Sequence, residues 1–158
     1  MLLLDQNRAR WDQLAIRRGL AELEQAERLG GAGQLYALQA AIAACHARAR
    51  TAEATDWAQI AALYGVLGQL TGSPVVELNR AVAVSMASGP AAGLALVDAL
   101  LNEPKLEGYH LLPSVRGDLL EKLGRKAEAK LEFERAASLT RNQRERELLE
   151  GRARTAGA

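Results

Sequence analysis

Apolar residues recur along most of the chain at intervals of three and four positions, the spacing that places side chains on one face of an α-helix. This pattern predicts eight helices separated by short breaks. A short tail at 155–158 is expected to be frayed, as chain ends commonly are. The predicted helices cover residues 5–29, 34–49, 55–70, 74–88, 90–101, 109–123, 125–139 and 142–154.

Glycine, proline and short polar side chains mark the breaks between these helices. Ser73 can accept a hydrogen bond from the first turn of the fourth helix, and Pro74 is tolerated at its first position. The Gly-Pro pair at 89–90 likewise ends one helix and places a proline at the first position of the fifth helix. Thr55 or Asp56 is expected to cap the third helix through a side-chain oxygen.

The even spacing of the helices suggests an internal repeat. The clearest unit lies at 110–143 and matches the order of small and large residues in a tetratricopeptide repeat: Gly117, Leu120, Gly124, Ala129, Phe133 and Ala136. An earlier unit matches with one inserted residue: Trp57, Ile60, Ala61, Tyr64, Gly68, Pro74, Leu78 and Ala81. A weaker echo is formed by Ala92, Leu96 and Ala99.

These repeats predict an all-α fold of stacked antiparallel helical hairpins, a tetratricopeptide-like α-solenoid, rather than a closed four-helix bundle with fewer and longer helices. The predicted helical-repeat domain covers residues 1–154. Composition agrees, because 31 Ala and 27 Leu supply the best apolar helix formers while aromatic residues make up only 4%.

Charge changes the expected partners more than the expected fold. The formal net charge of +1 supplies no overall field toward nucleic acid or an anionic membrane. No apolar run reaches the roughly 18 to 20 residues that a membrane-spanning helix needs. The first residues also lack the basic segment of a signal peptide. We therefore expect a cytoplasmic protein with no membrane partner.

Candidate chemistry is sparse, and we expect no catalytic residue, no metal site, no cofactor and no enzymatic activity. Cys45 and His46 are adjacent, so on a helix they point about 100° apart and cannot act together as nucleophile and base. We expect Cys45 to be a buried, inert core residue. His110 is expected to cap a helix or stabilise a loop, because no Ser or carboxylate is placed in the sequence to partner it.

Three polar features each allow two interpretations. The residues Asp5, Arg8, Trp11 and Asp12 form either a capped helix start or a polar network that holds the first helix. The arginines of the last predicted helix either form pairs within a solvated helix or bind nucleic acid; the alternating acids favour pairs within the helix. Arg80 either pairs with an acid, for which Glu77, Asp56 and Asp98 are candidates, or grips a partner together with Asn79.

Five segments of the chain carry a family resemblance: LDQNRARWD at 4–12, YALQAAIAACH at 36–46, TDWAQIAALY at 55–64, SPVVELNRAVAV at 73–84 and GYHLLP at 108–113. They resemble the C-terminal extension of a large subgroup of extracytoplasmic-function RNA polymerase sigma factors. The resemblance covers nearly the whole chain. It implies that sigma regions two and four, which read promoters and bind polymerase, are absent from this chain.

The resemblance implies a regulatory protein-interaction domain that controls transcription initiation. Its partners would be core RNA polymerase, its own sigma regions or a regulatory protein, and promoter DNA would be reached only through the missing sigma regions. The alternative is a small-molecule-sensing or enzymatic helical domain with a ligand in the inner groove. The residues expected to line that groove are Trp57, Tyr64, Asn79, Arg80, Tyr109 and His110.

Overall fold

The computed structural model of the protein describes residues 34–49 and 55–157. This part of the chain is all-helical and contains no strand, which confirms the predicted fold class. The expected first helix and the cluster of Asp5, Arg8, Trp11 and Asp12 lie outside the described residues. The helices are α1 (Gln34–Arg48), α2 (Trp57–Thr71), α3 (Pro74–Ser88), α4 (Pro90–Asp98), a 3-10 turn (Pro104–Leu106), α5 (Leu111–Lys122), α6 (Lys126–Leu139) and α7 (Gln143–Ala156).

The predicted start and stop signals act as expected at both ends of α2. Oδ1 of Asp56 accepts a hydrogen bond from the backbone N–H of Gln59 at 3.1 Å and so caps the first turn. At the other end Gly72 adopts the left-handed conformation with φ 62°, which only glycine adopts without strain. Ser73 then caps α3 by accepting a hydrogen bond from the Val76 N–H at 3.4 Å.

Predicted and observed helix ends differ by up to three residues, as at α4, α5 and α7. Helix α4 ends at Asp98 instead of residue 101, because the chain tightens into a turn in which the Leu100 N–H donates to the Val97 carbonyl at 2.9 Å. Helix α5 begins at Leu111, two residues after the predicted start, because the chain before it forms a turn in which the Leu112 N–H donates to the Tyr109 carbonyl at 3.2 Å. The expected frayed tail is corrected at its start: α7 continues to Ala156, which is buried.

The residues form two compact units with a boundary between Arg80 and Ala81, inside the continuous helix α3. In the first unit α2 and α3 run antiparallel, because Gly65 lies opposite Arg80 and Gly68 lies opposite Val76. Helix α1 packs against α2. The core of the described part of this unit contains Ala40, Ile42, Cys45, Trp57, Ile60, Leu67 and Leu78.

In the second unit the repeat register predicted around Gly117 and Phe133 is confirmed. A Cβ at Gly117 would lie 2.8 Å from Cε1 of Phe133, so the missing side chain on α5 makes room for the aromatic ring on α6. The residues predicted to fill this hairpin are fully buried, each with 0% exposure: Leu120, Ala129, Phe133 and Ala136. Small-to-large complementarity between two neighbouring helices therefore fixes the α5–α6 hairpin.

Helix α7 packs against α6, as α5 does. It runs antiparallel to α6, since Arg146 reaches the carbonyl of Ala137 while Gly157 lies beside Lys130. Arg152 of α7 bonds Asp118 of α5, and these two residues are 34 positions apart, about the length of one tetratricopeptide repeat. Helix α7 thus occupies the place of the first helix of a following repeat.

The weak echo at Ala92, Leu96 and Ala99 is off register. Ala99 is exposed and the other two are half-buried, whereas the face of α4 that packs inward carries Gly93, Leu94 and Val97. The cause is the close approach of α3, because a Cβ at Gly93 would lie 2.5 Å from Cβ of Ser85. The small residue of this hairpin is therefore Gly93, one position after the alanine that the sequence suggested.

Candidate functional site

Four of the six residues expected to line a groove belong to the first unit: Trp57, Tyr64, Asn79 and Arg80. Trp57 is only 7% exposed, and its ring meets that of His46 edge-on with 5.2 Å between the ring centroids. It packs between α1 and α2 and offers almost no surface to a partner. Tyr64 is half-buried, and burial raises the pKa of its phenol.

Arg80 forms the ion pair that the sequence allowed with Glu77, at 2.5 Å between Nη1 and Oε1. Both side chains are about one-third exposed, so solvent partly screens the attraction between the two charges. The guanidinium group passes over Gly65, where a Cβ would lie 3.7 Å from its Nε. Asn79 is exposed on the neighbouring face of α3. The two residues are accessible to a partner, and Arg80 is held in place by Glu77.

Tyr109 and His110 belong to the second unit, just before α5. Nε2 of His110 lies 2.7 Å from Oε1 of Glu145 on α7, while the Tyr109 ring stands edge-on to the imidazole with 6.0 Å between centroids. The Thr140 hydroxyl donates to Oε2 of Glu145 at 3.4 Å. The sequence indicates no carboxylate partner for His110, because Glu145 lies 35 positions away and comes close only through the packing of α7. The cluster ties the starts of α5 and α7 together, as a loop-stabilising histidine would.

A polar cluster of the second unit, centred on Arg152, was not predicted from the sequence. Nη2 of Arg152 donates to Asp118 at 2.9 Å and to Glu121 at 3.2 Å, and its guanidinium carbon lies 4.4 Å from the centroid of the Phe133 ring. Burial alone would lower the pKa of Arg152, but the hydrogen bond that it donates to Asp118 and the negative charges of Asp118 and Glu121 outweigh burial and raise this pKa above its usual value. This arginine therefore stays charged and links α5, α6 and α7.

The arginines of α7 correct one expectation, that they pair within their own helix. Arg152 pairs with α5, as described, and Arg146 donates from Nη2 to the Thr140 carbonyl at 2.9 Å and from Nε to the Ala137 carbonyl at 3.3 Å. These carbonyls lie at the end of α6, where backbone acceptors lack partners within the helix. Two of the four arginines of α7 therefore make contacts between helices, which sequence spacing alone could not indicate.

We expect Arg152→Met to lower the free energy of unfolding by about 1 to 2 kcal/mol. It removes two charge-assisted hydrogen bonds, and Lys122, 3.0 Å from the other oxygen of Asp118, limits the loss. The matched control is Arg154→Met, which changes an exposed residue on the same helix and should shift the value by less than about 0.5 kcal/mol. Denaturant unfolding measures both. Equal effects of the two variants would contradict a structural role for Arg152.

A second ionic cluster joins α4, α5 and α6. Nε of Arg116 donates to Oδ1 of Asp98 at 2.9 Å, and its Nη1 lies 3.4 Å from Oε1 of Glu132. Asp98, one of the acids considered for Arg80, is therefore engaged by Arg116. In this second unit, charged side chains hold consecutive helices together.

The described residues give little support to a catalytic or metal-binding role. Burial raises the pKa of the Cys45 thiol, which opposes formation of a reactive thiolate. Within residues 34–49 and 55–157 no three His, Cys, Asp or Glu side chains are grouped so that they could hold a metal ion. In the same ranges no helix combines the length and the apolar character needed to cross a membrane.

One open cleft of about 410 Å³ lies between α6 and α7 in the second unit. It contains none of the residues expected to line the groove. Its walls carry charges of both signs and small residues, contributed by Lys130, Glu134, Glu150, Ala153, Arg154 and Gly157. Such a wall has no single charge or apolar character that would select one class of ligand.

Comparison with known proteins gives one informative relationship. The chain is similar to an uncharacterized protein of Rhizobium meliloti (strain 1021), with 48% identity over 142 residues. The match covers 90% of this chain but 33% of the relative, so the chain spans about a third of that protein's length. No protein-family model matches the chain, and no solved structure matches it significantly.

Proposed function

We propose that the chain is a regulatory protein-interaction domain of a bacterial extracytoplasmic-function sigma factor, acting in the cytoplasm and without enzymatic activity. The observation that carries the proposal is the hairpin packing of Phe133 against Gly117, which marks a helical repeat. Repeat proteins of this kind present extended surfaces to protein partners. The segments that resemble the sigma-factor extension supply the more specific part of the proposal.

The relationship to a longer protein supports a role in regulating other regions of one polypeptide. Two thirds of the Rhizobium meliloti relative lies outside the match, which leaves room for the polymerase-binding and promoter-reading regions of a sigma factor. The charged groups of the polar clusters in the second unit pair with one another across helices, so these clusters hold the helices together and lend no support to catalysis. A ligand-sensing domain is the alternative, and the charged open cleft does not favour it.

The test uses an exchange protein, defined as the Rhizobium meliloti relative with its matched segment replaced by this chain. Size-exclusion chromatography with purified core RNA polymerase from that species measures binding. Sequencing of transcripts made from fragmented genomic DNA measures promoter-dependent activity. We expect the exchange protein to bind polymerase and initiate at defined sites, and deletion of this chain to change the amount of transcript. An exchange protein that does not bind polymerase would refute the proposal.

A variant with Asn79→Ala and Arg80→Ala is expected to reduce transcription by the exchange protein without changing its melting temperature. The reason is that these accessible side chains can hydrogen bond a partner's backbone or carboxylate. The matched control is Glu77→Ala, which breaks the same ion pair but keeps both proposed contact residues. If the control loses as much transcription as the double variant, the ion pair itself matters and the contact role is wrong.

We expect the isolated chain not to bind promoter DNA specifically. Its net charge is +1, and the arginines that point to nucleic acid in the sequence partly serve contacts between helices. A gel-shift assay over a range of salt concentrations tests this. Sequence-selective binding that survives physiological salt would contradict it.

A further inference from the structure

Helix α7 contributes little to the apolar core of the second unit. Among the described residues of α7, Leu149 is the one large apolar side chain that is buried, and the other two buried residues are Ala153 and Ala156. By contrast, α5 buries four large apolar side chains: Leu112, Val115, Leu119 and Leu120. Burial of apolar surface is the main source of packing free energy. The core that α5 and α6 share therefore depends only slightly on α7.

Polar contacts with α5 tie α7 to the rest of the second unit. In its first turn Glu145 meets His110, which lies just before α5. Further along, Arg152 donates to Asp118 and Glu121 of α5. Apart from Asp118, the side chains in these contacts are between 23% and 36% exposed. Water reaches them and competes for their hydrogen bonds, so these contacts are weaker than fully buried ones.

Release of α7 would leave none of these charges buried and unpaired. Breaking a buried ion pair usually strands one charge without a partner, which is costly. Here Asp118 keeps its contact with Lys122 of the same helix, at 3.0 Å. Glu121 is 36% exposed and reaches water, and Arg152 would enter water together with α7. The polar contacts of α7 can therefore open and close without a large electrostatic penalty.

The part of α5 and α6 that α7 covers is suited to an arginine side chain. Asp118 and Glu121 lie one turn apart on α5, and both accept hydrogen bonds from Nη2 of Arg152. The Phe133 ring of α6 lies under the same guanidinium group, with 4.4 Å between the guanidinium carbon and the ring centroid. We call Asp118, Glu121 and Phe133 the arginine site. Two carboxylates with a flat ring match a planar guanidinium better than a lysine ammonium.

The sequence of α7 gives the pattern that this face accepts. The arginine and the three buried residues occupy positions i, i+3, i+4 and i+7, the spacing of an amphipathic helix in a groove: Leu149, Arg152, Ala153 and Ala156. The two alanines are small, so the helix can approach closely. A helix with a large apolar residue, an arginine and two small residues at this spacing therefore fits the face.

We propose that α7 is a releasable helix that occupies a binding face for arginine-containing helices on α5 and α6. The partner is a protein helix with the pattern just described, which competes with α7 for the arginine site. This inference goes beyond the proposed function and does not depend on it, because it concerns only contacts within the second unit.

The test adds a fluorescein-labelled peptide of residues 142–157 to the whole chain and measures binding by fluorescence anisotropy. We expect the chain with Arg152→Met to bind this peptide about tenfold more tightly than the unchanged chain, because its weakened α7 leaves the face free more often. The matched control is the chain with Arg154→Met, an exposed position, which should bind like the unchanged chain. A peptide that itself carries Arg152→Met should bind the Arg152→Met chain about tenfold more weakly than the unchanged peptide.

Hydrogen exchange of the unchanged chain, measured by mass spectrometry, is the second measurement and needs no variant. We expect the central amides of α7 to exchange about tenfold or more faster than the central amides of α5 and α6. The reason is that release exposes α7 while the α5–α6 hairpin stays folded.

Each other result overturns the inference. Equal exchange of α7 and of the α5–α6 hairpin would mean that α7 leaves only when the whole unit unfolds. A peptide that binds all three chains alike, or that binds equally well without its arginine, would mean that α7 and the peptide do not compete for the arginine site. If the Arg152→Met chain does not fold, hydrogen exchange of the unchanged chain decides the inference.

Discussion

Phe133→Ala is expected to lower the free energy of unfolding by about 3 to 5 kcal/mol, the range for removing a fully buried aromatic side chain. The ring has 0% exposure and lies against the backbone at Gly117. The guanidinium group of Arg152 lies over the ring, 4.4 Å from its centroid. The substitution therefore opens a cavity between α5 and α6 and also removes a cation–π contact.

The matched control is Leu131→Ala, two positions away on the same helix but 63% exposed, for which a change below about 1 kcal/mol is expected. Thermal and denaturant unfolding of both variants measure the difference. Trp57→Ala, at the buried start of α2, should cost about as much as Phe133→Ala. If the Phe133 and Trp57 variants melt within a degree or two of the parent, the repeat register described for both hairpins is wrong.

Gly93→Ala is expected to destabilise the protein by about 1 to 3 kcal/mol, although alanine is intrinsically the better helix former. The new Cβ would lie 2.5 Å from Cβ of Ser85 and 2.9 Å from the backbone oxygen of Ala81. Backbone atoms cannot move aside as a flexible side chain can. The α3–α4 hairpin would have to open to accept even one methyl group.

Gly65→Ala is the matched control, because it also adds one methyl group inside a helix. There the new Cβ would lie 3.7 Å from the Arg80 side chain, an ordinary van der Waals distance. With no clash, the higher helix propensity of alanine should stabilise the protein by up to about 1 kcal/mol. Opposite signs in denaturant unfolding are the expected result. A Gly93 variant as stable as the Gly65 variant would show that α3 and α4 do not approach so closely.

The local signals in the sequence determined the helical class, most helix starts and one hairpin. Asp56, Ser73 and Gly124 act within a turn of their own position, so their effect can be predicted without knowing the rest of the fold. The hairpin of Gly117 and Phe133 was predictable for a related reason. Its two helices are consecutive and joined by a short connection, so the order of small and large residues along the sequence already indicates which of them meet.

Only the tertiary structure decided how the polar and apolar faces are used. Arg152 meets Asp118 and His110 meets Glu145 because α7 packs beside α5, and nothing local in the sequence encodes that approach. Likewise, the apolar residues of α2 are alike in sequence on both faces. Trp57 and Ile60 are buried, with the Trp57 ring against His46 of α1, while Val66 and Leu70 are exposed. Which face of an uncharged helix with apolar residues all round is buried depends on its neighbours, and its own sequence does not specify it.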